Sequence, residues 1–401
     1  MNTIDSQAAL ERRIKKHIIG RTLDFFTATS PGLEELCLNE LKSLSPTIEE
    51  VYPERGGVRF KGRIHDCYLA NLSLRTANRI LMRIGEFRAS NFGQLGKKLS
   101  SISWELYLKK GVVTTIEISS RHSRLYHGGA VSEHIEKSIS ECFKRISSRP
   151  EYSNAYPSPQ KLFVRITDNR FLISVDSSGE LLYKRGIKRH GGKAPIRETL
   201  ATAALLLAGF DPAEPLIDPM CGTGTFSLEA AMICRNIPPG WHRKFAFMGW
   251  PSFKETRWKH TRREAKKEIT GTCDTLILAS DRDKNTCGKL EDAVNKSGLS
   301  GIVRVINQDF FTFSPLDFTN RTGLVILNPP YGQRLETKKK SRELYEKIFQ
   351  RLVQDYKGWK VALFVPDNIL AGKMMLGLDS CNLNHGGVRL RLFTGRIKQP
   401  S

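Results

Sequence analysis

Pro215-Leu216-Ile217-Asp218-Pro219-Met220-Cys221-Gly222-Thr223-Gly224-Thr225-Phe226 is the stretch on which the fold turns. Leu216 and Ile217 make a short apolar strand that runs into Asp218. Gly222 and Gly224 then permit a tight turn, and Ser227-Leu228-Glu229-Ala230-Ala231-Met232-Ile233 is built of good helix formers. A strand, a glycine turn and a helix in that order is how doubly wound α/β folds hold a nucleotide-like cofactor. The spacing is not that of a dinucleotide-binding turn, and the Lys of a phosphate-binding loop is missing. An acid before the turn and no cation within it suit a cationic ligand. S-adenosylmethionine, with its sulfonium and amino groups, meets that description.

Outward from this turn, two further apolar runs end in acids. Thr275-Leu276-Ile277-Leu278-Ala279 is followed by Ser280-Asp281, and Ile302-Val303-Arg304-Val305-Ile306 by Asn307-Gln308-Asp309-Phe310. An acid ending the second strand of such a fold can accept from both ribose hydroxyls. Asp309 could accept from an adenine amino group, with Phe310 packed nearby. The plainer reading of either acid is a helix N-cap or a loop charge; the chain order favours the cofactor.

A third run, Gly323-Leu324-Val325-Ile326-Leu327, closes on Asn328-Pro329-Pro330-Tyr331. This suits the placing of a methyl group on a planar amine, whose lone pair is delocalised and a poor nucleophile. The Asn328 side-chain oxygen and the Pro329 carbonyl can both accept from such an amine, turning its lone pair outward and favouring the charge that develops on it. The prolines lack N–H donors and fix the turn. Tyr331 offers a flat face for an extruded base. The bland alternative is a Pro-Pro turn after a core strand, with Tyr331 as packing.

The 401 residues suffice for two or three domains. Lys and Arg number 63 against 41 Asp and Glu, a net charge of +22, which points to a polyanionic partner. Basic clusters recur at Arg12–Lys16, Lys184–Lys193, Arg257–Lys267 and Lys338–Lys340. Any one of them could be a solvated helix face; their sum favours nucleic acid. No apolar run approaches the roughly twenty residues of a spanning helix, and the polar start has no signal-peptide core. The eight cysteines show no metal spacing, and Cys221 reads as a small turn residue rather than a nucleophile. No membrane contact, no metal and a cytoplasmic location are expected.

The first half alternates differently. Strand Leu23–Ala28, the turn Ser30-Pro31-Gly32, helix Leu33–Leu41 and strands near Ile48–Val51 and Gly57–Phe60 suggest about half of a ferredoxin-like fold. A helix His65–Ala77, a segment Arg79–Ile84, strand Val112–Ile118, helix Ser132–Arg145 and a hairpin Leu162–Asp176 follow. His122, His127 and His134 are scattered and read as surface or capping residues. Arg121-His122-Ser123-Arg124-Leu125-Tyr126-His127 reads equally as an RNA-contacting loop or a structural one. The expected division is a charged extension over 1–21, a ferredoxin-like segment over 22–64, an RNA-binding domain over 65–178 and a catalytic domain over 179–401.

These motifs together resemble the ribosomal-RNA guanine-N2 methyltransferases that carry a THUMP domain. The matching residues are Asp218 to Thr225, Asn328 to Gly332, and the approach segments Gly179–Gly186 and Ala194–Ala201. In the first half they are Thr29–Leu36, and Leu74–Leu81, which resembles a THUMP helix. The resemblance implies an α/β fold: a Rossmann-like class I methyltransferase domain, doubly wound about a seven-stranded sheet, preceded by an α+β ferredoxin-like and THUMP half that docks RNA. It implies methyl transfer from S-adenosylmethionine to the exocyclic N2 amine of a guanosine in large-subunit (23S) ribosomal RNA. By position, Asp218, Pro219, Cys221, Gly222, Thr223, Gly224, Thr225, Asp281, Asp309 and Phe310 would hold the cofactor, and Asn328, Pro329, Pro330 and Tyr331 the base. Thr223 stands where many relatives have Ser, and Ile187 where an aromatic is usual. Some relatives fuse a second methyltransferase domain, and none is expected here. The rivals are guanine-N2 methylation of transfer RNA, adenine-N6 methylation of DNA or RNA, amide methylation of a protein glutamine, and a binding factor without turnover.

Overall fold

A computed structural model describes residues 7–146, 159–187, 195–271, 274–330, 338–367, 369 and 377–398. The chain forms two compact units that interleave in sequence. The first comprises 1–29, 37–182 and 243–264; the second comprises 30–36, 183–242 and 265–401.

The first unit carries α1 (Gln7–Ile14), β1 (Leu23–Thr29), most of α2 (Glu34–Leu44), β2 (Glu49–Glu54), β3 (Gly57–Gly62), α3 (Ile64–Ser73) and β4 (Ala77–Arg88). Then come α4 (Phe92–Leu99), β5 (Thr114–Arg121), α5 (Gly128–Lys144), β6 (Gln160–Thr167) and β7 (Arg170–Asp176). Its seven-stranded sheet runs β2-β3-β1-β4-β7-β6-β5, and only the β5–β6 pair is parallel. Alternation decides which face is covered. Phe25 and Thr27 of β1 are buried, and Phe25 stacks on Phe60 with ring centroids 5.1 Å apart. Each such phenyl contributes about 1.5–3 kcal/mol through burial. The β6–β7 hairpin turns at Asp168 and Asn169, both at positive φ, residue types that tolerate that conformation.

One expectation fails here. Leu74–Leu81, taken as helical, leaves α3 at Ser73 and enters β4 at Ala77. Good helix formers lose to tertiary context: Ala77, Ile80 and Met82 are buried, and β4 hydrogen-bonds to β1 on one side and β7 on the other. Glu40 fixes the crossing by accepting from the Arg75 and Thr76 amides at 2.8 and 3.0 Å. The 243–264 segment adds an aromatic cluster to this unit, with Phe247 stacked on Tyr68 at 4.4 Å and Trp258 edge-on to Phe247 at 5.4 Å.

The second unit holds α6 (Glu198–Leu207), β8 (Leu216–Asp218), α7 (Thr225–Cys234), the end of α8 (Glu255–Lys267), β9 (Ile277–Asp281) and α9 (Lys284–Lys296). It continues with β10 (Val303–Asn307), β11 (Leu324–Leu327), α10 (Lys338–Asp355), β12 (Lys360–Pro366), β13 (Asp379–His385) and β14 (Val388–Arg396). The sheet order is β10-β9-β8-β11-β12-β14-β13. Strands are parallel from β10 to β12, and β14 and β13 complete the edge antiparallel.

Both faces of the central strands β8, β11 and β12 are buried, which is why they read as unbroken apolar runs. Leu216, Leu324 and Ile326 pack into one core with α6 and α7. Ile217, Val325 and Leu327 face the other core, which includes Tyr345, Ile348 and Leu352 of α10. Leu33, from the 30–36 segment, belongs to the first of these cores. Entry to β11 requires a glycine, since a Cβ at Gly323 would lie 1.9 Å from the Pro215 carbonyl oxygen.

Candidate active site

The strand order reverses at β8, which has β9 on one side and β11 on the other. Such a switch point opens a crevice at the carboxyl ends of the strands. Three of the sequence motifs end there: Asp218 closes β8, Asp281 closes β9, and Asn328 follows β11.

The turn after β8 is built by its neighbours. The Cys221 amide donates to the Ser280 carbonyl at 2.9 Å, and the Gly224 amide to the Cys221 carbonyl at 2.8 Å. Gly222 and Gly224 have φ of 52° and 69°. They serve different ends. A Cβ at Gly224 would lie 2.2 Å from Leu290 Cδ1 of α9, whereas one at Gly222 would meet nothing within 4 Å. Gly224 therefore permits helix packing, and Gly222 leaves backbone open to a ligand. Asp218 is fully buried and its Oδ2 accepts from Ser227 Oγ at 2.8 Å. Pro219 is buried, and Thr225 begins α7.

Asp281 ties the turn to β9. Its Oδ2 accepts the Gly222 amide at 2.9 Å and its Oδ1 accepts the Asp283 amide at 2.9 Å. The N-cap of α9 is Asp283, so Asp281 remains at the strand end. Asp309 does cap: its Oδ1 accepts the Phe311 amide at 2.9 Å at the head of a short helical turn. Phe310 is 1% exposed, and its ring lies in the core 6.0 Å from Tyr356.

Asn328 is half-buried, and its Oδ1 is buried without a hydrogen-bond partner among the described residues. Pro329 is buried and Pro330 half-buried; Tyr331 lies outside the described residues. Of the side-chain oxygens in the same state as Asn328 Oδ1, two lie on elements of this crevice: Thr223 Oγ1 of the turn and Ser280 Oγ of β9. Buried polar atoms are ordinarily satisfied. Three such atoms on the elements that converge on one crevice fit a polar ligand there. Neither Ser280 nor Ser227 was singled out from the sequence; a small hydroxyl beside an acid at a strand end marks Ser280, whereas Ser227 lies within α7 and only the fold brings it to Asp218.

The Cys221 thiol donates to the Gly222 carbonyl at 3.4 Å. The neighbouring Cys287 thiol and burial hold it well above the ordinary thiol range, while Cys287 is lowered to about 7 by the same neighbour. A thiol so held carries little thiolate, which fits a turn residue better than a nucleophile. All seven cysteines among the described residues are free thiols. Among the described residues no cluster of His, Cys, Asp and Glu could hold a metal, and no helix is long and apolar enough to cross a membrane.

A seven-stranded sheet in this order, with a glycine turn after β8 and Asn-Pro-Pro after β11, defines a Rossmann-like methyltransferase domain. Comparison with known proteins agrees. Residues 185–377 match the RMKL-like methyltransferase domain, and residues 24–81 match the RlmL ferredoxin-like domain. The chain is 31% identical over 327 residues to a candidate RNA methyltransferase, YpsC, of Bacillus subtilis strain 168, covering 80% of this chain and 83% of YpsC. It is 30% identical over 381 residues to the ribosomal RNA large subunit methyltransferase K/L of Methylococcus capsulatus. That match takes in 93% of this chain and 51% of the relative, so the chain spans about half the length of the K/L proteins. The crystal structure of SMU.472, a candidate methyltransferase complexed with SAH, superposes with a TM-score of 0.83 at 29% identity over 95% of this chain and 100% of that one. The chain belongs to the RMKL-like methyltransferase family, with the family's N-terminal ferredoxin-like domain.

Proposed function

We propose that this chain methylates the exocyclic N2 amine of a guanosine in RNA, most specifically large-subunit ribosomal RNA, with S-adenosylmethionine as donor. The observation that carries this reading is the buried Asn328 Oδ1, without a partner among the described residues, at the carboxyl end of β11 beside the switch point. An acceptor so placed is what an amine awaiting a methyl group requires, because it holds the N–H bonds and leaves the lone pair directed away. The complex of SMU.472 with SAH supports the choice of cofactor. The K/L relatives, whose name specifies large-subunit ribosomal RNA, support the choice of substrate.

The cofactor, when bound, supplies an electrophilic sulfonium methyl. Gly222 gives it backbone clearance, the Asp281 carboxylate accepts from its ribose hydroxyls, and Asp218 and Thr223 line its amino-acid end. Asp309 faces the adenine end, and Phe310, next to it in the chain, packs in the core against Tyr356. Asn328 Oδ1 and the Pro329 carbonyl accept from the target amine, Pro330 holds the turn, and Tyr331 stacks on the extruded base. Residues 22–178 dock the RNA and 179–401 carry the chemistry, within the cytoplasm.

Nucleoside mass spectrometry of ribosomal and transfer RNA from cells with and without the protein tests this. Loss of N2-methylguanosine from large-subunit RNA is the expected result. Loss from transfer RNA would change the substrate, loss of N6-methyladenosine would change the base, and no change in either pool would sink the proposal.

A further inference from the structure

The sheet of the first unit has one face in the core, and the other is covered at Arg79, Ser174 and Asp176 but only half-buried or exposed at Phe26, Leu81, Phe163, Arg165 and Leu172. Phe26 pairs with Arg59 and Leu81 across the neighbouring strands, Ser174 with Arg83 and Phe163, and Leu172 with Arg165. Because side chains alternate, these residues share the face opposite buried Phe25, Val164 and Ile173. On it lies a concavity of about 270 Å³, lined by Phe26, Leu81, Arg83, Phe163, Arg165 and Leu172, with others.

A solvated sheet face is ordinarily polar. This one sets two half-buried phenyl rings in a concavity, and each ring carries a guanidinium. Arg83 lies over Phe26 at 5.2 Å and Arg79 over Phe163 at 5.1 Å. The bland account, a face held by crossed ion pairs, explains Arg59 with Asp24 at 2.5 Å, Arg83 with Glu54 at 2.7 Å, Lys161 with Glu117 at 3.1 Å, Arg79 with Asp176 and Arg170 with Glu86. It leaves the apolar floor unexplained. It also leaves Arg165, which is exposed and has no ion pair among the described residues. Beyond Arg165 the same face carries Arg88, Arg170 and Arg121 in one row of β4, β7 and β5, with Thr167 of β6 between the last two and Arg170 paired with Glu86. Rings with a row of arginines leading away form a stacking platform joined to a phosphate track.

We propose that this face binds single-stranded RNA. One unstacked base lies in the concavity against Phe26 and Phe163, and the adjoining phosphates run along Arg165 towards Arg121. This rests on the RNA-methyltransferase reading and adds to it the surface by which the strand is held. The charge of the track fits a polyanion, and a small apolar concavity fits a planar base rather than the outside of a duplex.

The test is fluorescence anisotropy with the full-length protein and a fluorescein-labelled single-stranded oligoribonucleotide, free or annealed to its complement. The wild type should prefer the single strand. Phe26→Leu and Phe163→Leu, which keep most of the apolar volume, should each weaken binding about ten-fold without changing its salt dependence. Arg165→Gln should lower the slope of log affinity against log salt by roughly 0.7, one phosphate contact. Phe163→Trp should show indole fluorescence quenched by the strand, a readout that a merely structural ring would not give. A wild type that binds the strand while all these variants match it in affinity, slope and quenching would overturn the sheet-face proposal and leave the function standing. A wild type that binds SAH but neither RNA would overturn both.

Discussion

The Gly222 amide donates to Oδ2 of Asp281 at 2.9 Å, joining the turn after β8 to the end of β9. One carboxylate thus shapes the turn and borders the crevice, so its loss should act twice. Asp281→Ala is expected to weaken S-adenosylhomocysteine binding by roughly 10- to 100-fold, the worth of charge-assisted hydrogen bonds. Titration calorimetry measures it, and an unchanged affinity would remove Asp281 from the cofactor site.

Gly224 and Leu290 meet more closely than any side chain at position 224 allows. Gly224→Ala would place a Cβ 2.2 Å from Leu290 Cδ1 at a φ of 69°. The left-handed conformation costs roughly 1–2 kcal/mol and the overpacking about 1–3 kcal/mol more. The melting midpoint should fall, and adding Leu290→Ala should recover part of the loss, because the two changes share one contact. Purely additive losses would show that the strain lies in the backbone alone.

What the sequence made legible was local. Asp218 to Thr225 could be read because a glycine turn between a strand and a helix satisfies its own conformational demands, and Asn328 because an apolar run ends on a proline pair. The seven-stranded sheet came with the resemblance, and the structure bears it out. Long-range packing was not legible. Leu74–Leu81 is composed like a helix, yet its neighbours β1 and β7 make it a strand. Phe247 and Trp258 lie between α7 and β9 in the chain, and only the fold reveals that they pack with Tyr68 of the first unit. Nothing in Asn307-Gln308-Asp309-Phe310 tells whether the ring faces a ligand or the core, since burial depends on Tyr356, nearly fifty residues on.

Arg79 and Asp176 form an ion pair inside the first unit, where Arg79 is 8% exposed and Asp176 fully buried. Asp176 also accepts the Ser178 and Gly179 amides at 2.9 and 3.1 Å. Burial pushes its carboxyl up to about 6 against the opposing pull of Arg79. A folded value above the unfolded one, about 3.9, means that protonation favours the folded state. Stability from this group is therefore gained as pH falls through about 6 towards 4. Arg79→Met should cost about 3–5 kcal/mol at alkaline pH, where a carboxylate is left unpaired, and should raise the carboxyl further. The gap in melting midpoint between wild type and variant should then narrow as pH is lowered from about 8 to about 5.5. A gap independent of pH would mean that Asp176 stays ionised without its partner.

Asn328→Ala separates chemistry from binding. The substitution removes the acceptor Oδ1 but touches neither the glycine turn nor Asp281. Cofactor affinity should be unchanged, while kcat for methyl transfer to RNA falls by about 10²–10³, the usual loss when one oriented polar group is taken from a developing charge. Asn328→Asp keeps an acceptor oxygen, but it replaces the amide with a carboxylate that must be desolvated, so it should recover only part of the rate. Single-turnover transfer of a labelled methyl group, measured beside calorimetry of the cofactor, reads both quantities. Full activity in Asn328→Ala would remove this residue from catalysis. A loss of cofactor binding instead would make its role structural.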